Sequence, residues 1–281
     1  SIVSETAKDT KTLAENFLIY GTMAEILACP TGFQQGLSGS MHAFFPPFGM
    51  YPNNAIVGAS APIAVGAALY KKCNQKPGIV VSNVGDGALG RGPVWEAMNF
   101  AAMDQFNTLW EDAYRGGLPI IFNFFNNFYG MGGQTVGETM AFHQLARIGA
   151  GISPTSLYAE RVDGSNPLAV IDAMKRKMDL IKNGNGPVLL DIVTYRISPH
   201  SASDHESYRT KEEVLTWIEQ DPITAYHKEL VSCGVATEEE LSGIISEVDA
   251  KILEIFKLCA DPKITPRQVV TKKIKLEQYI Y

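Results

Sequence analysis

Four short runs of β-branched and aromatic residues constrain this chain more than any other feature: "GIVVSNV" (78–84), "LPIIFNFF" (118–125), "SLYAERV" (156–162) and "GPVLLDIVTYR" (186–196). The run 78–84 suits a strand buried on both faces and 118–125 a second buried strand, with 156–162 and 186–196 adding two more strands. Helical stretches over 55–72, 92–103 and 166–183 stand between or before them. Strands alternating with helices predict an α/β fold, a mostly parallel sheet flanked by helices. A further helix is expected over 12–28. Residues 211–260 turn helical and charged, which predicts a C-terminal helical extension. The division read from the sequence is an α/β domain over 1–205, with residues 206–281 as a helical extension of the same domain. Residues 29–54, rich in Gly, Pro and Ser, read as a long loop of the kind that serves a site or an interface.

Charge and cysteine usage exclude several classes of function. The net charge of −6 comes without any lysine- or arginine-rich stripe, which argues against nucleic acid and against an anionic membrane as partner. The apolar run from Ala55 to Tyr70 contains Gly, Pro and Ser and is too short to span a bilayer. Cys29, Cys73, Cys233 and Cys259 are widely spaced and form no CxxC pair, so they read as buried thiols of a reducing compartment. The chain opens at Ser1 with no basic-plus-apolar leader, and the expectation is a processed or partial chain located in the cytoplasm.

The segment "NVGDGALGRG" (83–92) places Asp86 between two glycines at a strand tip. Folding alone asks for no charge there. In an open parallel sheet, ligands collect at the carboxyl ends of the strands. The next run ends in "FNNFYGMG", which brings Asn126, Asn127 and Tyr129 to the same rim. A carboxylate, an amide oxygen and a backbone carbonyl are hard donors suited to Mg²⁺ or Ca²⁺, and Mg²⁺ completes its octahedron with phosphate oxygens and water. Gly87 and Ala88 leave room for a diphosphate against backbone amides at the start of the following helix. Taken singly, Asp-Gly is a common turn and Asn-Asn a common loop pair. Together they make a spaced pattern, GDG and then NN.

That pattern resembles the thiamine diphosphate motif, and the flanking residues resemble the α subunit of 2-oxo acid dehydrogenase E1 components. The resemblance runs from about residue 12 to about 260 and is carried by "GSMH" (39–42), "IVGASAPIAVGAA" (56–68), "GDGALGRGPVWEAMNFAAM" (85–103), "NNFYGMG" (126–132), "RVDG" (161–164), "TYRISPHSASD" (194–204) and "SYRTKEE" (207–213). It implies that Asp86, the side chain of Asn127 and the carbonyl of Tyr129 bind Mg²⁺. It also implies that Gly87 and Ala88 contact the diphosphate, and that Ala55 and Val57 lie where the family touches the aminopyrimidine ring. For Val57, ordinary helix packing is the alternative. An isolated loop histidine is usually a surface residue. The resemblance instead places His200 over the cofactor's diphosphate and reactive end, positioning and stabilising charged intermediates. Ser201 stands where mitochondrial members are phosphorylated. His42 faces either the cofactor or a partner, and His143 and His227 read as structural.

The chain departs from the family pattern in three places. Residues 104–117 widen the interval between Asp86 and Asn127, an insertion that can sit at the opposite rim. Ser198 and Pro199 replace a further histidine, and the family's upstream Tyr-Arg pair has no counterpart. In this family the cofactor's thiazolium carbon attacks a carbonyl after deprotonation assisted by a glutamate of the β subunit. The resemblance therefore implies a half-site: oxidative decarboxylation of a 2-oxo acid by an α₂β₂ assembly, with acyl transfer to a lipoyl-bearing E2. The small-residue helix from Ala55 to Ala68 and the C-terminal helices are the expected partner surfaces. The rival readings are a subunit of a split transketolase-like enzyme, which would share Asp86 and Asn127, and a noncatalytic partner-binding subunit. Were the source eukaryotic, the expected compartment would be the mitochondrial matrix or another organelle.

Overall fold

The computed structural model describes Val3 and residues 9–269. In chain order it contains α1 (Thr10–Ile26), α2 (Ser60–Cys73), β1 (Val80–Gly85), α3 (Gly92–Ala101), α4 (Gln105–Thr108), β2 (Ile120–Asn126) and α5 (Arg147–Ile152). It continues through β3 (Tyr158–Asp163), α6 (Pro167–Lys182), β4 (Val188–Val193), α7 (Lys211–Ile218), α8 (Pro222–Ser232) and α9 (Glu238–Ala260). All four predicted strands form, in an entirely parallel sheet of order β1-β2-β4-β3. Parallel pairing sets every strand's carboxyl end at one rim: Gly85 pairs with Phe125, and Asn126 and Asp163 both pair with Val193.

Contacts divide the chain into two compact units, residues 1–55 with 236–281, and residues 56–235. The sequence reading instead drew its line at 205. Within the larger unit one face of the sheet packs Val84, Phe122, Phe124 and Leu189 against α2 and α3. The other face packs Ile121, Val188, Leu190 and Ile192 against Ala173 and Ile181 of α6. The small residues of α2 serve this core. Ala61, Ala64, Val65, Ala67 and Ala68 are buried, which lets the helix approach β1 and α3 closely. Its opposite side, with Pro62 and Gly66, stays exposed. The helix begins at Ser60, so Ala55 and Val57 precede it in an exposed loop and Val57 takes no part in helix packing.

The helices start where local chemistry dictates. Asn166 accepts from the amides of Leu168 and Ala169 ahead of Pro167, and Asp221 accepts from the Thr224 amide ahead of Pro222. Thr237 and Glu240 close a reciprocal capping box at α9. The 104–117 stretch, expected to be only an insertion, contributes to the core. Phe106 is fully buried, and Lys72 lies 5.2 Å from the Trp110 ring and donates to the Gly116 carbonyl. It leads into the amino end of β2, where Pro119 accepts from Val80 at the start of β1, away from the Asp86 rim. All four cysteines are free, but Cys73 and Cys233 are exposed rather than buried. No helix among the described residues is long and apolar enough to cross a membrane.

In the smaller unit α1 packs on α9 around Tyr20, Ala24, Ile255 and Cys259. The loop that leaves α1 is organised by Glu25, whose carboxylate is fully buried. It accepts from the amides of Gln34 (2.8 Å), Gly36 (2.9 Å) and Ser38 (2.7 Å) and from the Ser38 hydroxyl (2.8 Å). Gly36 has φ +73°, and an added Cβ would come within 2.6 Å of the Ala28 backbone, so no other residue fits under this arch. Burial pushes the Glu25 carboxyl up, but the amide and hydroxyl bonds outweigh it and hold the group below the usual glutamate value. A lowered value means that the stabilisation is complete above the usual glutamate range and fades as pH falls through the lowered one. Glu25→Ala strands three amides that bonded to it, at ~1–3 kcal/mol for each one left unpaired. Denaturant unfolding monitored in this unit is expected to show a loss of ~3 kcal/mol or more. A loss below ~0.5 kcal/mol would contradict this role for Glu25.

Candidate functional site at the carboxyl rim of the sheet

Asp86 follows the last residue of β1 and opens a short 3₁₀ turn, Asp86–Gly90, before α3 begins at Gly92. The backbone beside Gly87 and Ala88 is therefore that turn, not the first turn of an α-helix as expected. The Asp86 side chain is only 2% exposed. Its Oδ2 accepts from the Thr135 hydroxyl at 2.7 Å, and the amides of Gly87 and Phe128 also donate to the carboxylate. Burial is the largest influence on this carboxyl and raises it above the ordinary aspartate value, with the hydrogen bonds offsetting part of the shift. Without a neighbouring cation, the folded protein penalises the charged form of this group.

The chain leaving β2 supplies the other donors. Phe128 has φ +69°, an uncommon conformation for a residue other than Gly, Asn or Asp. The reversal sets the Asn127 side chain and the Tyr129 carbonyl beside Asp86. One end of the Asn127 amide lies 2.9 Å from the Tyr129 carbonyl oxygen and 3.2 Å from Asp86 Oδ1. When the nitrogen occupies that end, it donates to both oxygens. When the oxygen occupies it, an amide oxygen, a carbonyl oxygen and a carboxylate oxygen meet, and a cation among them satisfies all three. One charge and two neutral oxygens match the sparse protein ligation typical of Mg²⁺. No cluster of three His, Cys, Asp or Glu side chains suited to a metal occurs among the described residues, so a thiolate or imidazole metal has no comparable place. Asn126 points elsewhere: its amide donates to the buried Asp191 at 2.9 Å.

His200 lies in the exposed segment after β4. Arg196 joins it to the same rim, its guanidinium contacting the Gly130 carbonyl (3.4 Å) and His200 Nδ1 (2.9 Å). Arginine only donates, so Nδ1 accepts, and the proton of a neutral His200 ring is on Nε2. The segment is tied back by Asp204, which accepts from the His200 amide (3.1 Å) and the Tyr208 hydroxyl (2.8 Å). Beneath it Arg209 is enclosed by the rings of Tyr129, Tyr195 and Tyr208, with its centre 5.3, 5.4 and 6.0 Å from theirs. The hydroxyls of Tyr129 (2.6 Å) and Tyr195 (2.9 Å) both donate to Oε1 of Glu213. Burial and then the Glu213 carboxylate push the Tyr129 phenol upward, so it stays protonated as a donor at neutral pH.

Of the residues marked in the sequence, Asp86, Asn127 and Tyr129 converge, Gly87 and Ala88 flank them half-buried, and His200 stands one bridging arginine away. Val57 is 53% exposed. Ala55 closes the smaller unit, also exposed, and His42 is exposed there too. Thr135, Arg196 and Glu213 escaped sequence reasoning. Nothing in "GGQTVG" (132–137) singles out Thr135, whereas Arg196 and Glu213 lie inside the motifs "TYRISPHSASD" (194–204) and "SYRTKEE" (207–213) without being assigned a role there.

Residues 13–267 match the family described as "Dehydrogenase E1 component". Among curated proteins, the chain is 34% identical over 235 residues to "Pyruvate dehydrogenase E1 component subunit alpha" of Rickettsia bellii, covering 84% of this chain and 66% of that protein. It is 34% identical over 252 residues to the protein of the same name in Zymomonas mobilis, covering 88% of this chain and 65% of that one. The "Probable pyruvate dehydrogenase E1 component subunit alpha, mitochondrial" of Caenorhabditis elegans is 33% identical over 260 residues, or 90% of this chain and 60% of that protein. The chain thus spans under two thirds of the length of these relatives.

Proposed function

The chain belongs to the dehydrogenase E1 component family, and from that premise we propose that it is the α-type subunit of a thiamine diphosphate-dependent 2-oxo acid dehydrogenase. The observation that carries the reading is the meeting of Asp86, the Asn127 amide and the Tyr129 carbonyl at the strand rim. When bound, thiamine diphosphate supplies a nucleophilic carbon and an electron sink for decarboxylation. Asp86, Asn127 Oδ1 and the Tyr129 carbonyl would hold the Mg²⁺ that anchors the diphosphate, with Gly87 and Ala88 as its backbone contacts. A divalent cation here would also relieve the penalty of the buried Asp86 charge. Ala55 and Val57 remain our candidates for aminopyrimidine contact, and their exposure leaves them free to meet a ligand or a partner.

His200, held by Arg196 with its Nε2–H free, is the candidate for stabilising negative charge or delivering a proton at the reacting end. We take the overall reaction as oxidative decarboxylation with acyl transfer to a lipoyl-bearing E2. A β-type subunit in an α₂β₂ assembly would contribute the glutamate that activates the cofactor. The apolar residues that α9 leaves exposed, Ile244, Val248, Ile252 and Phe256, offer surface for such a partner. The compartment would be the cytoplasm, or the matrix if the source is eukaryotic, as in the names of relatives from Caenorhabditis elegans and Dictyostelium discoideum.

Mixing tests the proposal. With Mg²⁺, thiamine diphosphate and an artificial electron acceptor, this chain alone should turn over none of a panel of 2-oxo acids. Adding a β-type subunit should bring activity that saturates at a one-to-one ratio. Steady decarboxylation by the isolated chain, shown free of partner by mass spectrometry, would contradict the half-site reading.

A further inference from the structure

Two helices of this chain begin with the same signature, Thr-x-x-Glu: Thr237 to Glu240 at α9 and Thr210 to Glu213 at α7. At α9 both halves of the box are made, and Glu240 returns to the Thr237 amide at 2.8 Å. At α7 only one half is described. Thr210 accepts from the Glu213 amide at 3.1 Å, while the Glu213 carboxylate turns away from the cap to the hydroxyls of Tyr129 and Tyr195. The two tyrosines lie 84 and 18 residues distant in sequence and belong to different parts of the rim. Tyr129 carries the backbone carbonyl beside Asp86 and Asn127, and Tyr195 opens the segment that carries His200. Tyr195 is also stacked on Trp217 of α7 at 4.9 Å and 6°, and edge-on to Tyr129 at 5.8 Å.

We propose that Glu213 is a positioning residue, one oxygen of which fixes the Tyr129 carbonyl for metal binding through one tyrosine and anchors the His200 segment through the other. A helix-capping carboxylate has been diverted to join the two loops that make up the site. The 2.6 Å bond to Tyr129 is short and charge-assisted, as expected of an anchor that must not rotate. The inference rests on Tyr129 being a metal ligand, as in the proposed function.

The two arms predict different phenotypes. In the native assembly purified from its host, stripped with chelator and saturated with thiamine diphosphate, Mg²⁺ is titrated calorimetrically. Glu213→Ala and Tyr129→Phe should each raise the half-saturating Mg²⁺ concentration by ~10–100-fold, the range for losing an outer-shell partner of a metal ligand. The double variant should add nothing beyond either single one, because both remove the same bond. Glu213→Gln, which keeps an acceptor oxygen, should recover most of the affinity. Tyr195→Phe should leave Mg²⁺ affinity at the wild-type value and instead speed amide exchange over residues 197–206. Tyr129→Phe deletes a single hydroxyl and carries the test even if Glu213→Ala misfolds. Wild-type Mg²⁺ affinity in Tyr129→Phe, or fully additive losses in the double variant, would overturn the inference while leaving the metal site standing. Failure of the wild-type assembly to bind Mg²⁺ with thiamine diphosphate would overturn both it and the proposed function.

Discussion

Asp86→Ala is expected to lose Mg²⁺–thiamine diphosphate binding by more than the ~10–100-fold typical of an outer-shell loss, and activity of the assembled enzyme with it. Of the three assigned donors Asp86 alone is charged, so its removal takes away the Coulombic part of the site while Asn127→Ala takes only a neutral oxygen. The second substitution should act in the same direction and more weakly. Asp86→Asn separates function from folding. It keeps a partner for Thr135 but removes a buried charge, so the cofactor-free protein should be at least as stable as wild type, measured by denaturant titration.

The pH dependence follows from the raised carboxyl. Between the ordinary aspartate value and the raised one, the folded protein holds a proton that the unfolded chain has released. Stability of the cofactor-free form therefore falls as pH rises through that window and is level above it. Metal affinity runs the other way, rising across the same window as the proton leaves. Both trends should vanish in Asp86→Asn. Undiminished cofactor affinity in Asp86→Ala would remove the metal assignment.

His200→Ala is expected to lower turnover of the assembled enzyme by ~10²–10⁴-fold, the range for a group acting in proton transfer. Mg²⁺ binding should largely survive. The side chain is exposed and supports no core, so folding should change by no more than ~0.5 kcal/mol. Arg196→Ala should reproduce part of the loss, because the bond that fixes Nδ1 as acceptor disappears. Steady-state kinetics across pH on both variants separate the two effects. Wild-type turnover in His200→Ala would leave this segment as a lid or an interface.

The sheet was legible because β-branched and aromatic composition dominates these runs: 118–125 forms the almost wholly buried β2, whereas β1, expected to be buried on both faces, lies at the sheet edge and buries only alternate residues. α2 was misjudged at its start. Small residues from Ala55 onward carry helix-compatible composition, but Gly58 adopts φ +88° and holds the segment before Ser60 out of the helix. α4 and α5 were missed because four and six residues show no period long enough to read. Two of the predicted metal donors are side chains in recognisable motifs. The third, a backbone carbonyl, has no residue-type signal and was assigned to Tyr129 only through family resemblance. Thr135, and the role of Glu213 within "SYRTKEE", escaped for another reason: their partners lie 49 and 84 residues away, and only the tertiary fold brings them together.

The most direct test of the account is anomalous diffraction from crystals of the assembled protein grown with thiamine diphosphate and Mn²⁺ in place of Mg²⁺. The account predicts a single anomalous peak at this rim, within bonding distance of one Asp86 oxygen, Asn127 Oδ1 and the Tyr129 carbonyl, with diphosphate oxygens beside Gly87 and Ala88. A peak elsewhere, or cofactor bound while Asp86 stays hydrogen-bonded to Asn127 with no metal between them, would contradict it.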